Sequence, residues 1–269
     1  MTVQKDRFGI TSVQSATVKV CCVTRTIVNY NTISQIYDDV RQADVEIIHH
    51  FWQEAGLNAA KKVLDIGCGT ANQTALLQQI TQAQLYGLEP SEGMLRKARQ
   101  KNTSIIFKQG DAQHIPFADD YFDFVYMTDV IHHVPDIDTM FSEIYRIVKP
   151  EGQVCIVTQS HRQIEQRPIV QFFPDTAMVD KARYPDIDQI VGAASTQLLS
   201  DQQCTVLFEH AEIYLDDHFL ELVRKKGYSM LHLISDEAYQ QGLMTLEAAL
   251  QSGSIKAKSA GTTLVWFMK

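Results

Sequence analysis

From Lys61 to about residue 158, short apolar runs alternate with stretches whose apolar positions recur three and four residues apart. Val63–Ile66, Leu85–Leu88, Ile105–Phe107, Phe122–Met127 and Val154–Thr158 are short and evenly apolar, which predicts strands buried on both faces. The stretch 71–80 and the stretch from Ser91 to about Gln100 predict helices. Ile137, Met140, Phe141, Ile144 and Val148 mark the apolar face of a third helix over 136–148. Thr70 with Gln73 three positions on predicts a capping box for the first of these helices, and Ser91 a cap for the second. Buried strands alternating with amphipathic helices, joined by right-handed crossovers, predict an α/β fold with a doubly wound, mostly parallel sheet.

The flanks are less regular. Residues 1–29 are rich in Thr and Val, lack a helical period and read as an N-terminal arm. Residues 33–55 form an amphipathic helical region through Ile36, Val40, Val45, Ile47, Ile48 and Phe51. After 158 the pattern predicts an irregular stretch at 160–185, a helix near 186–199 and a sixth strand near 204–214. Helices at about 217–234 and 236–251 and a last strand, Thr262–Met268, complete the chain. The expected organisation is an arm at 1–29 and one domain over 30–269, with 160–185 and 215–250 forming a helical cover over a pocket.

Composition narrows the partners. The 269-residue chain carries a formal net charge of −8 and no run of five basic residues, which argues against a phosphate-neutralising surface for nucleic acid or anionic lipid. The apolar stretch Val18–Val28 is broken by Lys19 and Arg25, so it suits neither a signal peptide nor a membrane span. Five cysteines (Cys21, Cys22, Cys68, Cys155, Cys204) lack metal-ligand spacing. The expectation is a reduced, soluble, cytoplasmic protein that binds no metal.

Candidate chemistry gathers where three segments follow predicted strands, at the sheet edge where open α/β folds bind ligands. In Asp65-Ile66-Gly67-Cys68-Gly69-Thr70 the two glycines permit a tight turn, and the following helix aims free N–H groups at a ligand. A dinucleotide fingerprint requires a third glycine where Asn72 stands. Asp65 before the turn would repel a pyrophosphate and suits a cation. Glu89, in Glu89-Pro90-Ser91, lies 20 residues beyond Gly69, the spacing of a ribose-binding carboxylate. Asp111 in Gly110-Asp111-Ala112 can accept from an adenine amino group, with Met94 and Ile115 as apolar flanks.

Together with Phe122-Asp123-Phe124-Val125 and Ile131-His132-His133-Val134, these segments resemble class I S-adenosylmethionine-dependent methyltransferases with a Rossmann-like fold. The resemblance is to the small-molecule group that includes quinone-biosynthesis and natural-product enzymes, and it covers roughly residues 30–158. It implies S-adenosylmethionine as cofactor and a small-molecule methyl acceptor. By the same resemblance, Gly67, Cys68 and Gly69 would meet the methionine part, Glu89 and Pro90 the ribose, and Asp111, Ala112 and Met94 the adenine. Thr128 would lie beside the cofactor, and Tyr30 or Arg41 would bind its carboxylate. Ala71 stands where the group usually has glycine.

Transfer to a hydroxyl, phenol or carbon acid needs a base. His132 and His133, after the fourth strand, are the candidates, with His161 behind them; His218 and His232 read as packing or surface groups. Nucleic-acid amino-methyltransferases carry an Asn/Asp-Pro-Pro-aromatic motif where this chain has Thr128-Asp129-Val130-Ile131. Three other classes stay open: a non-catalytic S-adenosylmethionine or S-adenosylhomocysteine binder, a nicotinamide enzyme, and an arsenic methyltransferase that would need Cys68, Cys155 and Cys204 to converge.

Overall fold

The computed structural model describes residues 43–197 and 199–269. The expected arm at 1–29, and with it Tyr30, Arg41 and the start of the 33–55 helical region, lies outside the described residues. The described part of that region is α1 (Val45–Glu54), capped by Asp44, whose side chain accepts from the N–H groups of Glu46 and Ile47.

The strands are β1 (Lys62–Ile66), β2 (Gln84–Glu89), β3 (Ile106–Gln109), β4 (Phe122–Thr128), β5 (Val148–Thr158), β6 (Ser200–Leu207), β7 (Glu212–Leu215), β8 (Ile255–Lys258) and β9 (Thr262–Met268). Seven form one sheet in the order β3-β2-β1-β4-β5-β9-β6. The first five pair in parallel, and β9 runs antiparallel between β5 and β6. This is the doubly wound, mostly parallel α/β sheet that the hydrophobic pattern predicts.

Period-two alternation along β4 feeds both faces. Phe124 and Tyr126 meet Phe51 of α1, their ring centroids 5.3 and 4.8 Å away, and Leu77 of α2 (Asn72–Thr81) belongs to the same core. Val125 and Met127 face the other way, against Met140, Phe141 and Ile144 of α4 (Ile137–Ile147) and Ile190 and Ala194 of α7 (Ile187–Thr196). Ser91 caps α3 (Glu92–Lys101) through the Met94 N–H, as its position predicts.

The capping box expected at Thr70 and Gln73 does not form. Ala71 occupies the cap position in a left-handed conformation (φ +66°), and no side chain caps α2. Gln73 instead accepts from the Asp44 N–H at 2.9 Å and donates to the Asp44 carbonyl at 3.5 Å. Its side chain thus ties the start of α1 to the start of α2, and tertiary contact overrides the local pattern.

Beyond β5 three expectations are corrected. The stretch 160–185 is helical: α5 (His161–Glu165), a 3-10 turn over Pro168–Gln171 and α6 (Asp175–Arg183). The strand expected at 204–214 is two strands, because Phe208 and His210 take positive φ (60° and 63°) and turn the chain out of the sheet. There β7 pairs with β8, a strand the hydrophobic pattern does not reveal, as a separate antiparallel ribbon. The helix expected at 217–234 stops at Arg224: α8 (Asp217–Arg224) is followed by a 3-10 turn over Ser229–His232, then α9 (Asp236–Leu250).

These segments share a third apolar core. Ile169 and Phe173 pack with Leu220, Val223, Met230, Leu231, Tyr239 and Leu246. A Cβ on Gly242 of α9 would collide with the Phe173 ring, so the absence of a side chain there sets how closely the two halves of the cover approach. Among the described residues no helix is long and apolar enough to cross a membrane.

Candidate functional site

The carboxyl ends of β1, β2 and β4 meet at one edge. After β1 the chain turns through Gly67 (φ +77°) and Gly69 (φ +55°), and the N–H groups of Gly67 and Cys68 both donate to the Leu88 carbonyl, at 2.7 and 3.1 Å. Glu89 ends β2 beneath the turn. Its carboxylate accepts from the Gly69 N–H at 3.1 Å and the Ser91 N–H at 2.9 Å, which fixes both oxygens against the backbone. Burial nevertheless pushes the Glu89 carboxyl above its ordinary value, against those two donors.

Asp65 turns inward. One oxygen accepts from Thr74 Oγ1 at 2.6 Å and Tyr126 OH at 2.9 Å, and the residue is 3% exposed. Burial pushes its carboxyl up to about 7; the two hydroxyl donors oppose the rise, and the neighbouring Glu89 charge adds to it. The carboxylate expected at the lip of the cleft is therefore a buried brace between the glycine turn, α2 and β4. Two adjoining buried carboxyls, each raised by burial, leave a region in which a bound cation is favourable.

The Asp65 shift has a sign that can be measured. An unfolded aspartate ionises near 3.8, while the folded carboxyl keeps its proton to about 7. The contribution is fully present below the unfolded value and is lost as pH rises through the folded one. Asp65→Asn should therefore gain stability relative to the parent between pH 4 and 7 and hold a constant difference above that range. Urea denaturation at several pH values measures this, and a pH-independent difference would contradict the assignment.

The remaining cofactor candidates lie around this turn. Met94 and Ala112 are buried, and Pro90 is exposed, its carbonyl accepting from Gln109 Nε2 at 3.1 Å. Asp111 uses one oxygen to accept from the N–H groups of Gln113 and His114, at 2.8 and 3.1 Å, and its side chain is 58% exposed. The Cys68 thiol is buried against Gly87, where a Cβ would come within 2.7 Å of Sγ, and burial pushes the thiol well above its usual range. Thr128 Oγ1 is buried with no hydrogen-bond partner among the described residues. An orphaned hydroxyl at the end of β4 fits an edge built to receive a polar ligand.

A cavity of about 320 Å³ adjoins this edge. Asp129 after β4 and Gln159 after β5 form its floor, and the cover supplies Arg167, Ile169, Arg183, Tyr184, Phe219 and Met230. Ile213, Leu215 and Ala260, from the β7–β8 ribbon and the chain just after it, close one side. The volume suits a small organic molecule. None of the glycine-turn, Glu89 or Asp111 residues lines it, so it is a second compartment. Gly67 packs against Val130, and Asp129 beside Val130 lines the cavity, so the segment 128–130 is a wall common to both.

Neither proposed histidine lines the cavity. His132 is 8% exposed and stacks on the Tyr184 ring, centroids 4.0 Å apart and planes within 10°. His133 is exposed and touches the His132 ring. His161 hydrogen-bonds the Tyr184 carbonyl at 2.9 Å. Sequence reasoning missed Asp129, Arg167, Asp180 and Arg183. The only signal for them was position: Asp129 directly follows a core strand, and the other three fall in the stretch read as irregular. Among the described residues no group of three or more His, Cys, Asp or Glu is placed to hold a metal ion.

The sequence pattern of the family described as "Methyltransferase domain" matches residues 64–156. A demethylmenaquinone methyltransferase of Lactiplantibacillus plantarum is 32% identical over 158 residues, which are 54% of this chain and 67% of that protein. The Geobacillus sp. demethylmenaquinone methyltransferase is 35% identical over 140 residues, 46% of this chain and 59% of that protein. The methyltransferase GfsG of Streptomyces halstedii is 31% identical over 125 residues, 44% of this chain and 45% of that protein. This chain thus spans about half the length of these last two relatives. In structure, a methyltransferase from an antibiotic biosynthesis pathway of Anabaena variabilis superposes with a TM-score of 0.69 at 20% identity, covering 85% of this chain and 99% of that one. At that identity the likeness shows a shared fold.

Proposed function

The chain belongs to the methyltransferase-domain family, and on that footing we propose that it transfers a methyl group from S-adenosylmethionine to a small-molecule acceptor in the cavity beneath the cover. One observation carries the reading: the wall at 128–130 separates a carboxylate-rich glycine turn from a cavity of acceptor size. A family relationship to demethylmenaquinone methyltransferases supports it.

S-adenosylmethionine, when bound, supplies a methyl group already activated by its sulfonium, with S-adenosylhomocysteine as product. Gly67, Cys68 and Gly69 would hold its amino-acid part by backbone, with Asp65 bracing the turn from behind. Glu89, beside Pro90, would accept from the ribose hydroxyls, Asp111 and Ala112 would meet the adenine, and Met94 would pack beneath it. Thr128 would use its orphaned hydroxyl beside the sulfur. Tyr30 and Arg41 stay candidates for the carboxylate on the strength of the resemblance alone.

On the acceptor side Asp129 takes the place first given to the histidines, because it lines the cavity. It would orient the nucleophile and take its proton where one is lost. His132 would act as a positioning residue, fixing the ring of Tyr184 that forms part of the wall. The cover over 160–185 and 215–250 would exclude water and select the acceptor. We keep a nucleic-acid partner out of this reading, on the acidic charge, and place the protein in the reducing cytoplasm, where Cys68 and Cys155 would stay buried free thiols.

Titration with S-adenosylhomocysteine and NAD, followed by metabolite extracts incubated with isotopically labelled methyl donor, tests the proposal. Tight S-adenosylhomocysteine binding and a labelled small molecule are expected. Binding without any labelled product would leave a non-catalytic binder, and binding of NAD alone would overturn the reading. Within it, Glu89→Ala should weaken S-adenosylhomocysteine binding by roughly 1–3 kcal/mol, the scale of a lost charge-assisted hydrogen bond. Unchanged affinity in calorimetry would remove Glu89 from the site.

A further inference from the structure

Three charged residues of the cover meet in the wall of the cavity. Asp180 of α6 has a side chain only 1% exposed, and it is gripped from two sides. Arg167, between α5 and the first 3-10 turn, reaches one oxygen through Nη1, and Arg183, one turn further along α6, donates from Nε to the other at 2.7 Å. Both guanidinium side chains are largely buried, at 14% and 17% exposure. Arg167 also donates from Nε to Gln159 Oε1 at 2.7 Å, and Arg183 from Nη2 to Ser229 Oγ at 2.6 Å.

Within this cluster one carboxylate between two guanidiniums leaves one positive charge, in a wall that mixes apolar groups (Ile169, Ile213, Leu215, Phe219, Met230) with polar ones such as Gln159, Tyr228 and Ser259. An arginine has five N–H donors, and each of these two commits a pair of them within the described structure. A largely buried cation with donors to spare is costly unless a ligand supplies the counter-charge. Asp129, the other charged residue of the cavity, stands at the end of β4, whereas both arginines come from the cover. The cavity is therefore polarised, with a carboxylate on the sheet side and surplus guanidinium donors on the cover side.

We propose that the occupant of this cavity is a small molecule with an apolar or aromatic body and a carboxylate, which Arg167 and Arg183 bind. Calling that molecule the methyl acceptor rests on the methyl-transfer reading; the binding chemistry does not. A guanidinium pairs with a carboxylate through two parallel hydrogen bonds. The one surplus charge of the Arg167–Asp180–Arg183 cluster, faced across the cavity by the Asp129 carboxylate, matches a monoanion and leaves a phosphate monoester under-neutralised.

The test uses matched probes on the full chain: 3-phenylpropionate, 4-hydroxyphenylacetate and hexanoate, each with its primary amide, and phenyl phosphate. Binding is measured by calorimetry and thermal shift, with and without saturating S-adenosylhomocysteine. At least one acid should bind tenfold or more tightly than its amide and than phenyl phosphate. Arg183→Met, which leaves Asp180 paired with Arg167, should remove that preference while S-adenosylhomocysteine affinity stays the same. Equal binding of acids and amides, no binding by any acid, preference for phenyl phosphate, or an unaltered preference in Arg183→Met would each overturn the proposal. The acid and amide comparison on the parent protein holds even if the variant fails to fold. Absence of S-adenosylhomocysteine binding counts against the methyl-transfer reading and leaves the carboxylate result to be judged separately.

Discussion

Asp180→Ala should destabilise the protein by about 3–5 kcal/mol, the cost of removing one member of a buried ion pair and stranding its partner. Here two partners are stranded. Arg167 and Arg183 both lose their anion, and at 14% and 17% exposure water from the cavity replaces it only in part. Both also lie near the Tyr184 ring, with guanidinium carbons 5.3 and 5.6 Å from its centre, so their rearrangement would disturb the cavity wall. For a chain of this size the midpoint of thermal unfolding should fall by roughly 10 °C. Asp180→Asn keeps the shape and some hydrogen bonding, so its loss should be smaller. A midpoint for Asp180→Ala within a degree or two of the parent would show that the cluster is solvated and adaptable, which would also weaken the case for a charged pocket.

Gly67→Ala is the second large effect, and it arises at the other compartment. Gly67 sits at φ +77°, and an added Cβ would lie 2.5 Å from Val130 Cγ2 and 2.6 Å from Cγ1. The left-handed backbone costs an L-residue about 1–2 kcal/mol, and forcing a methyl group into packed neighbours adds roughly 1–3 kcal/mol. Val130 is branched at Cβ and cannot rotate both methyl groups away. Equilibrium urea denaturation should register the sum, and S-adenosylhomocysteine binding should fall with it because Cys68 and Gly69 move with the turn. The double variant Gly67→Ala, Val130→Ala should regain the packing part and retain the backbone part. If the single variant were as stable as the parent, the turn would not be held against 128–130 as described.

Most of the sheet was legible because its central strands are buried on both faces and uniformly apolar, with ends within a residue or two of the expected ones. β1, β2, β4 and β9 are cases in point. β3 is instead a half-exposed edge strand, and β5 begins at Val148, six residues before the expected Val154. The placing of the glycine turn and Glu89 was legible for a related reason, since their positions are fixed offsets from strand ends. The cover was not. Ser160 and Gln163 do form a capping box and open a helix, but α5 is only five residues long and shows no repeat of apolar positions. β7 and β8 are four-residue strands outside the main sheet, and the break at Phe208–His210 has neither glycine nor proline to mark it. Asp65 shows the opposite failure. Its position was read correctly and its environment was not, because only the folded chain brings Thr74 and Tyr126 onto the same oxygen.

The close fit of α9 on the 160–185 segment has a consequence for how such a protein can change its substrate. Phe173 fills the notch left by the missing side chain at Gly242, so two pieces separated by a sheet strand in sequence are mated by shape. Transplanting one piece from a relative would set a foreign surface against a resident one. If the cover selects the acceptor as proposed, acceptor preference would travel as a matched pair of inserts, with the strands of the main sheet left untouched.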